Sequence, residues 1–133
     1  MIDLNQLLSD PSTVVAVVGA TDNPSKYGSV AYRDLKAKGF DVFAVNPNRA
    51  TVDGDSAYPD LKSLPRTPTI VNYVVPPSAT LTSLQEAKAL GYTTVWLQPG
   101  SESPEVLSYL QAEGFDYLAN ACIMVQSRML QSR

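Results

Sequence analysis

The feature that most constrains the fold is a run of five apolar residues, Val14 to Val18, which ends at Gly19 in a polar loop. An uninterrupted apolar run of this kind is typical of a strand buried on both faces, as in parallel sheets. A helix-compatible segment follows the loop. Where a glycine-bearing loop leads into a helix, backbone N–H groups and the helix dipole favour an anion. We therefore predict that this loop binds a nucleotide-like ligand.

Predicted strands and helices alternate along the rest of the chain. Three times, a glycine, an aromatic residue and a polar residue stand between a predicted helix and a strand: Gly39-Phe40-Asp41, Gly91-Tyr92-Thr93 and Gly114-Phe115-Asp116. Such alternation implies right-handed βαβ crossovers and a parallel sheet covered on both faces. Because 133 residues without a linker fit one domain, we predict a single α/β domain over residues 1–133. It is a Rossmann-like, doubly wound parallel sheet in three α/β/α layers.

The expected elements follow from periodicity and from stop signals. The predicted strands are 14–18, 41–45, 70–75, 94–97 and 116–118. The predicted helices are 4–8, a second that starts at Tyr27 or Ser29 and ends at Lys38, 78–90, 104–114 and 123–130. Ser78 and Ser103 are the expected N-caps. The expected inner faces are Val30, Ala31 and Leu35 on one helix and Leu81, Leu84 and Ala87 on the next.

Other positions carry narrower expectations. Residues 50–68 are weakly patterned, with an edge strand near 51–57 and a helical turn at 60–64, and Asp53 and Asp55 are interpreted as turn residues. Asn72 is expected to be a hydrogen-bonded polar group in the core, and Trp96 a core residue.

Composition excludes several classes of function. The net charge of −3 argues against a nucleic-acid partner, which needs a basic face. One cysteine and no signal-peptide or membrane-helix pattern predict a cytoplasmic protein without a membrane partner. The chain has no histidine, so the commonest general base and metal ligand are missing. With no nucleophile–base pair visible, we predict a binding protein with no catalytic residue and no metal.

The ligand of an open α/β sheet binds beyond the carboxyl ends of the strands. Loops rich in glycine, proline, asparagine or hydroxyl residues leave those ends at 19–28, 46–49, 75–78 and 98–100. The first loop has only Gly19-Ala20-Thr21, an incomplete dinucleotide motif. No acid follows the second strand, which disfavours NAD. Arg49 there, with Lys26 in the first loop, suits a phosphate-bearing ribose, as in NADP or coenzyme A; either charge alone is equally well an ordinary surface charge.

Five motifs in this order resemble a known family: V-V-G-A-T-D-N-P-S-K-Y-G, V-N-P-N, V-V-P-P-S, V-W-L-Q-P-G and A-C-I-M-V. Together they resemble the small stand-alone CoA-binding domain proteins, which are similar to the N-terminal CoA-binding domain of the succinyl-CoA synthetase α subunit. The resemblance spans about Val14 to Gln126 and implies a Rossmann-type fold with coenzyme A across the strand ends. Many relatives carry Asp-Arg before the cysteine and Glu-His after the valine, where this chain has Asn120-Ala121 and Gln126-Ser127.

The resemblance also implies roles for individual residues. The nucleotide end is wrapped by Gly19, Ala20 and Thr21, with Lys26 beside the phosphates. The adenosine side is lined by Asn46 and Pro47, with Arg49 near its phosphate. The wall beside the first loop is Val75, Pro76 and Pro77, and the pantetheine arm is approached by Gln98 and Gly100. The predicted cofactor-binding set also includes Tyr27 and Gly28.

Three residues have alternative interpretations. Tyr27 and Tyr32 are candidates to stack on adenine, although Tyr32 fits the helix surface equally well. Cys122 is either a reactive thiol near the sulfur of CoA or a small buried apolar side chain, and we favour the second.

Three functions remain open. We favour binding of coenzyme A or an acyl-CoA. The alternatives are an NADP-dependent oxidoreductase, for which the chain leaves no separate substrate domain, and an interaction domain without a ligand. A small-molecule ligand is the only partner predicted.

Overall fold

The computed structural model describes residues 4–10 and 12–126. The strands are β1 (Val14–Val18), β2 (Asp41–Val45), β3 (Thr51–Val52), β4 (Asp55–Tyr58), β5 (Ile70–Tyr73), β6 (Thr94–Leu97) and β7 (Asp116–Ala119). The helices are α1 (Leu4–Leu7), α2 (Tyr27–Ala37), α3 (Pro77–Leu90) and α4 (Pro104–Ala112), with a 3-10 turn at Leu61–Ser63. Residues 123–126 are also helical, and the rest of the predicted tail helix lies outside the described residues.

The strands form one sheet in the order β3-β4-β2-β1-β5-β6-β7. β3 is antiparallel to β4, and every other pairing is parallel. All five residues of β1 are buried, as the apolar run predicts. On one face Val15 and Val17 pack with α1 and α2; on the other, Ala16 and Val18 pack with α3 and α4. The predicted doubly wound, three-layer α/β fold is confirmed.

Of the two helix N-caps predicted from the sequence, one is confirmed and one is wrong. Ser103 caps α4, because its side chain accepts the Val106 N–H at 3.1 Å and Pro104 occupies the first turn. The predicted cap Ser78 is wrong. α3 begins one residue earlier, with Pro76 at the N-cap and Pro77 in the first turn, because the proline ring already holds a helical φ.

The inner face of α2 differs partly from the prediction. Ala31 and Leu35 are buried as expected, but Val30 is 44% exposed. Gly28 and Tyr32 are buried with them, which completes a face at one-turn spacing. Both interpretations of Tyr32 are therefore wrong, since its ring is fully buried in the core and lies neither on the helix surface nor in the ligand crevice.

The weakly patterned segment forms a hairpin on the edge of the sheet. Asp53 and Gly54 connect β3 to β4 with φ angles of 52° and 79°, so the prediction that Asp53 is a turn residue is confirmed. The same prediction for Asp55 is wrong. Asp55 lies in β4, where its carboxylate accepts a hydrogen bond from the Tyr32 hydroxyl at 2.7 Å and forms an ion pair with Lys36 at 2.8 Å.

The prediction for the core residue Trp96 is confirmed, whereas the prediction for Asn72 is only partly correct. Trp96 is fully buried as predicted, and its Nε1–H donates to the Ala121 carbonyl at 2.8 Å. Asn72 is also fully buried, but within the described residues neither its Oδ1 nor its Nδ2 has a hydrogen-bond partner. The expectation that this amide is satisfied is wrong, because the strand pairings place it beside Val17 and Trp96, whose side chains offer it no partner.

Candidate functional site

A crevice opens where the strand order changes direction. β1 lies between β2 and β5, and the chain leaves β1 and its two neighbours at the same edge of the sheet. The Gly19 N–H donates to Val45 of β2, whereas the Val74 N–H donates to Val18 of β1, each at 2.9 Å. The loops after these strands enclose a pocket of about 1010 Å³. Ligands of open α/β sheets bind at such a switch point.

Two glycines bring the start of α2 against the end of β1. Gly19 has a φ of +104°, and a Cβ there would lie 2.7 Å from Cγ1 of Val75. A Cβ on Gly28 would overlap the carbonyl oxygen of Gly19. Gly28 therefore has the role of the last glycine in a dinucleotide motif, which permits close helix–strand packing. Gly19 and Gly28 stand farther apart in the sequence than the glycines of the dinucleotide-binding motif, so a search for that motif does not identify them.

The N-terminus of α2 faces the pocket without a capping side chain. Its N-cap is Lys26, which has extended backbone and makes no side-chain cap bond. Lys26, Tyr27 and Gly28 all line the pocket. The first-turn N–H groups, the helix dipole and the lysine ammonium together favour an anion here.

The loop after β2 is tied to the loop after β1. The Asn46 Nδ2 donates to the carbonyl of Ala20 at 2.9 Å, and its Oδ1 accepts the Asn48 N–H at 2.9 Å. Arg49 forms an ion pair with Asp22 at 3.6 Å, and both side chains are more than a third exposed. Ala20 itself is fully buried. It therefore positions Asn46 through its backbone and has no side chain at the pocket.

The structure brings most of the predicted binding residues to two adjoining cavities. Those that line the first pocket are Gly19, Thr21, Lys26, Tyr27, Gly28, Asn46, Pro47, Arg49, Val75 and Pro76. Those that line a second cavity of about 270 Å³ are Tyr27, Val75, Pro76, Pro77, Gln98 and Gly100. Ala20 lines neither.

Sequence reasoning missed one wall of the first pocket. Its residues come from α3 and from the segment after β4: Ala79, Thr82, Ser83, Glu86, Pro59 and Asp60. Glu86 accepts the N–H groups of Leu61 and Lys62, and Asp60 caps the 3-10 turn, so both acids have structural roles. The α3 residues recur at one-turn spacing, a small polar stripe that the sequence does carry.

Cys122 lies at the junction of Tyr27 and Gln98. Its Sγ is 3.4 Å from the Tyr27 hydroxyl and 3.7 Å from Nε2 of Gln98. Burial raises the pKa of this thiol, but hydrogen bonds from Tyr27, the Val125 amide and Gln98 outweigh it and leave the pKa below its usual value. The same contact raises the pKa of Tyr27. The favoured interpretation as a small buried apolar side chain is wrong, because the thiol is only partly buried and has polar neighbours.

The described residues contain neither a membrane-crossing helix nor a cluster of metal-binding side chains. No helix in residues 4–10 and 12–126 is long and apolar enough to cross a membrane. In the same part of the chain, no group of three or more histidine, cysteine, aspartate or glutamate side chains could hold a metal ion.

Comparison with known proteins gives a consistent result. A family model described as "CoA binding domain" matches residues 13–128. A conserved hypothetical protein from Pyrococcus furiosus has 39% identity and a TM-score of 0.83, over 86% of this chain and 98% of that one. A Thermus thermophilus protein has 33% identity and a TM-score of 0.84, over 96% of each chain. The dinucleotide forming acetyl-coenzyme A synthetase 1 of Candidatus Korarchaeum cryptofilum has 26% identity and a TM-score of 0.74, over 96% of this chain and 30% of that one.

Proposed function

The chain belongs to the family of CoA-binding domains, and from this premise we propose that it binds coenzyme A or an acyl-CoA without catalysing a reaction on it. The ligand lies across the carboxyl ends of β1, β2 and β5. The observation that most supports this proposal is the N-terminus of α2, which has no side-chain cap. It lies in the same pocket as Lys26 and Arg49, at the switch point of the sheet.

The phosphates of the ligand are assigned by charge. The diphosphate lies at the first turn of α2, where Tyr27 and Gly28 offer backbone N–H groups beside Lys26. The phosphate on the ribose lies near Arg49, whose guanidinium suits a phosphate. A pocket of about 1010 Å³ is at the upper end of the range for small-molecule sites and fits a ligand of this size.

A non-catalytic role agrees with the groups around the pocket. The chain has no histidine to act as a general base. The acids on the missed wall, Asp60 and Glu86, are both engaged with backbone N–H groups. The part of the pocket that holds Lys26 and Arg49 can bind and orient an anion, and this is the role that we assign to it.

Calorimetric titration with CoA tests the proposal directly. We expect saturable binding at moderate salt, weakened about tenfold, or ~1.4 kcal/mol, by either Lys26→Ala or Arg49→Ala, since each removes a charged phosphate contact. Matched controls are Lys88→Ala and Arg66→Ala. Lys88 bonds the Glu113 carbonyl and Arg66 pairs with Asp41, both at the opposite end of the sheet.

The same titration separates the alternatives. Binding of NADPH but not of CoA would overturn the proposal in favour of the oxidoreductase. No binding of either ligand would favour the interaction domain. Equal losses in the pocket variants and in the controls would show that the phosphates lie elsewhere.

A further inference from the structure

The second cavity continues the first pocket across a shared wall. Tyr27, Val74, Val75 and Pro76 line both spaces. Lys26 and Arg49 line only the first. A ligand whose phosphates are held by these two cations can therefore reach the second cavity only with the end that lies away from its phosphates.

No residue described as lining the second cavity carries a charge. Its polar side chains are already bonded within the protein. Gln98 accepts the Ile123 N–H at 2.8 Å and donates to the Cys122 sulfur, and the hydroxyl of Ser101 donates to the Tyr73 carbonyl at 3.1 Å. The surface that remains for a ligand is formed largely by valine, proline and tyrosine side chains.

A carboxylate bonded to one of the cavity residues adds a repulsive element. Glu102 accepts the N–H of Gly100, one of the cavity residues, at 3.0 Å. This contact uses the N–H that would otherwise be free for an anion, and it places a negative charge beside the cavity. A carboxylate bound here would lose water and gain no opposite charge.

On the basis of the proposed function, we propose that the second cavity takes the acyl end of an acyl-CoA and selects short, uncharged acyl groups over groups that end in a carboxylate. The cavity volume of about 270 Å³ equals roughly nine water-sized groups. That space holds a thioester with a few carbons and is too small to cover a long acyl chain.

Butyryl-CoA and succinyl-CoA form a matched pair, because both acyl chains have four carbons and only succinyl ends in a carboxylate. We expect butyryl-CoA to bind at least about tenfold more tightly than succinyl-CoA in calorimetric titration. From acetyl- to butyryl-CoA, affinity should rise by up to roughly fourfold for each buried methylene. Palmitoyl-CoA should bind no better than free CoA.

Two variants test the charge argument independently. Pro99→Arg places a cation on an exposed cavity residue, with Pro99→Ala as its control. Glu102→Gln removes the nearby negative charge and keeps an acceptor for Gly100, so it serves where Pro99→Arg fails to fold. We expect either variant to reduce the preference for butyryl-CoA over succinyl-CoA by a factor of about three or more, each compared with its own affinity for free CoA.

The outcomes distinguish this inference from the proposed function. Equal affinities for butyryl- and succinyl-CoA would overturn it, and so would acyl-CoAs that all bind tenfold more weakly than free CoA; in both cases the proposed CoA binding would stand. A protein that binds neither CoA nor any acyl-CoA would contradict the proposed function itself.

Discussion

At the scale of single residues, Tyr27 connects features that lie far apart in the sequence. It is the first residue of α2, it lines both cavities, and its hydroxyl contacts Cys122, 95 positions away. The residue is 52% exposed, and its hydroxyl contact with Cys122 is a polar one at the protein surface. A ligand that spanned the two cavities would contact Tyr27, whereas Cys122, the only cysteine in the sequence, lines neither cavity.

This contact predicts how Cys122 reacts. Because hydrogen bonds to its sulfur outweigh burial and lower the pKa of the thiol, the thiolate forms at a lower pH than in an exposed cysteine. Alkylation by iodoacetamide, followed against pH by mass spectrometry, should therefore have a midpoint below that of a free thiol. Tyr27→Phe should move the midpoint to higher pH.

Tyr117→Phe is the matched control, since the Tyr117 hydroxyl bonds Gln111 and makes no contact with the thiol. An unchanged midpoint in Tyr27→Phe would contradict the assignment of the low thiol pKa to this hydrogen bond.

The site residues that could be predicted from the sequence are those whose type is favoured by a particular local backbone conformation. Gly19, Asn46 and Pro76 follow apolar runs, and such residues end strands in loops. The contact between Tyr27 and Cys122 could not be predicted, because no local pattern reports a pair 95 positions apart. Glu86 was missed for a related reason: a polar residue on a helix surface is ordinary until its neighbours are known.

At the scale of elements, a polar network ties α2 to the β3–β4 hairpin. Lys36 pairs with Asp53 at 3.1 Å and with Asp55 at 2.8 Å, and the Tyr32 hydroxyl donates to Asp55 at 2.7 Å. Lys36 first and Tyr32 second lower the pKa of Asp55 below its usual value. The hairpin contributes only short strands, and this network adds polar contacts with α2 to the core packing of Val52.

The network predicts a pH-dependent contribution to stability. A carboxyl whose pKa is lowered by folding stabilises the protein above its unfolded pKa, about 3.8 for aspartate, and this stabilisation is lost as the pH falls through the folded pKa. Asp55→Asn should therefore lower the free energy of unfolding at pH 7. The difference from the wild type should shrink as the pH approaches 3, measured by urea unfolding.

Tyr32→Phe should cost about 1 kcal/mol at pH 7, because it leaves the core ring in place and removes one hydrogen bond. Asp41→Asn is the control, since its partner Arg66 lies in an exposed ion pair on another part of the surface. Equal effects of Asp55→Asn and Asp41→Asn at pH 7 would contradict a special role for the network.

Element types were predictable to different degrees. Parallel strands are buried on both faces, so β1 and β5 appear in the sequence as apolar runs. Edge strands have no such signal, and the segment that forms β3 and β4 showed only a weak pattern. The inner face of α2 was misread at Val30, because the residue that allows close packing there is a glycine, which hydrophobic periodicity does not count.

At the scale of the whole molecule, the net charge of the protein has the same sign as the charge of the proposed ligand. The net charge is −3, yet the first pocket has Lys26 and Arg49 at its edge. An acidic protein repels a polyanion at long range, so the binding that we propose would depend on these local cations and on the N-terminus of α2. Both cations are exposed, and their attraction for phosphate is therefore screened by salt.

This distribution predicts how CoA stabilises the fold. A ligand present at 100 times its Kd raises the free energy of unfolding by about 2.7 kcal/mol, which for a domain of this size raises Tm by roughly 10 °C. Because the cations are exposed, the CoA-induced shift should be largest at low ionic strength and should shrink as NaCl rises to about 0.5 M. The double variant Lys26→Ala/Arg49→Ala should lose most of the shift and its salt dependence, whereas Arg66→Ala should keep both. A shift that is independent of salt in the wild type would mean that apolar contacts, and not the two cations, dominate binding.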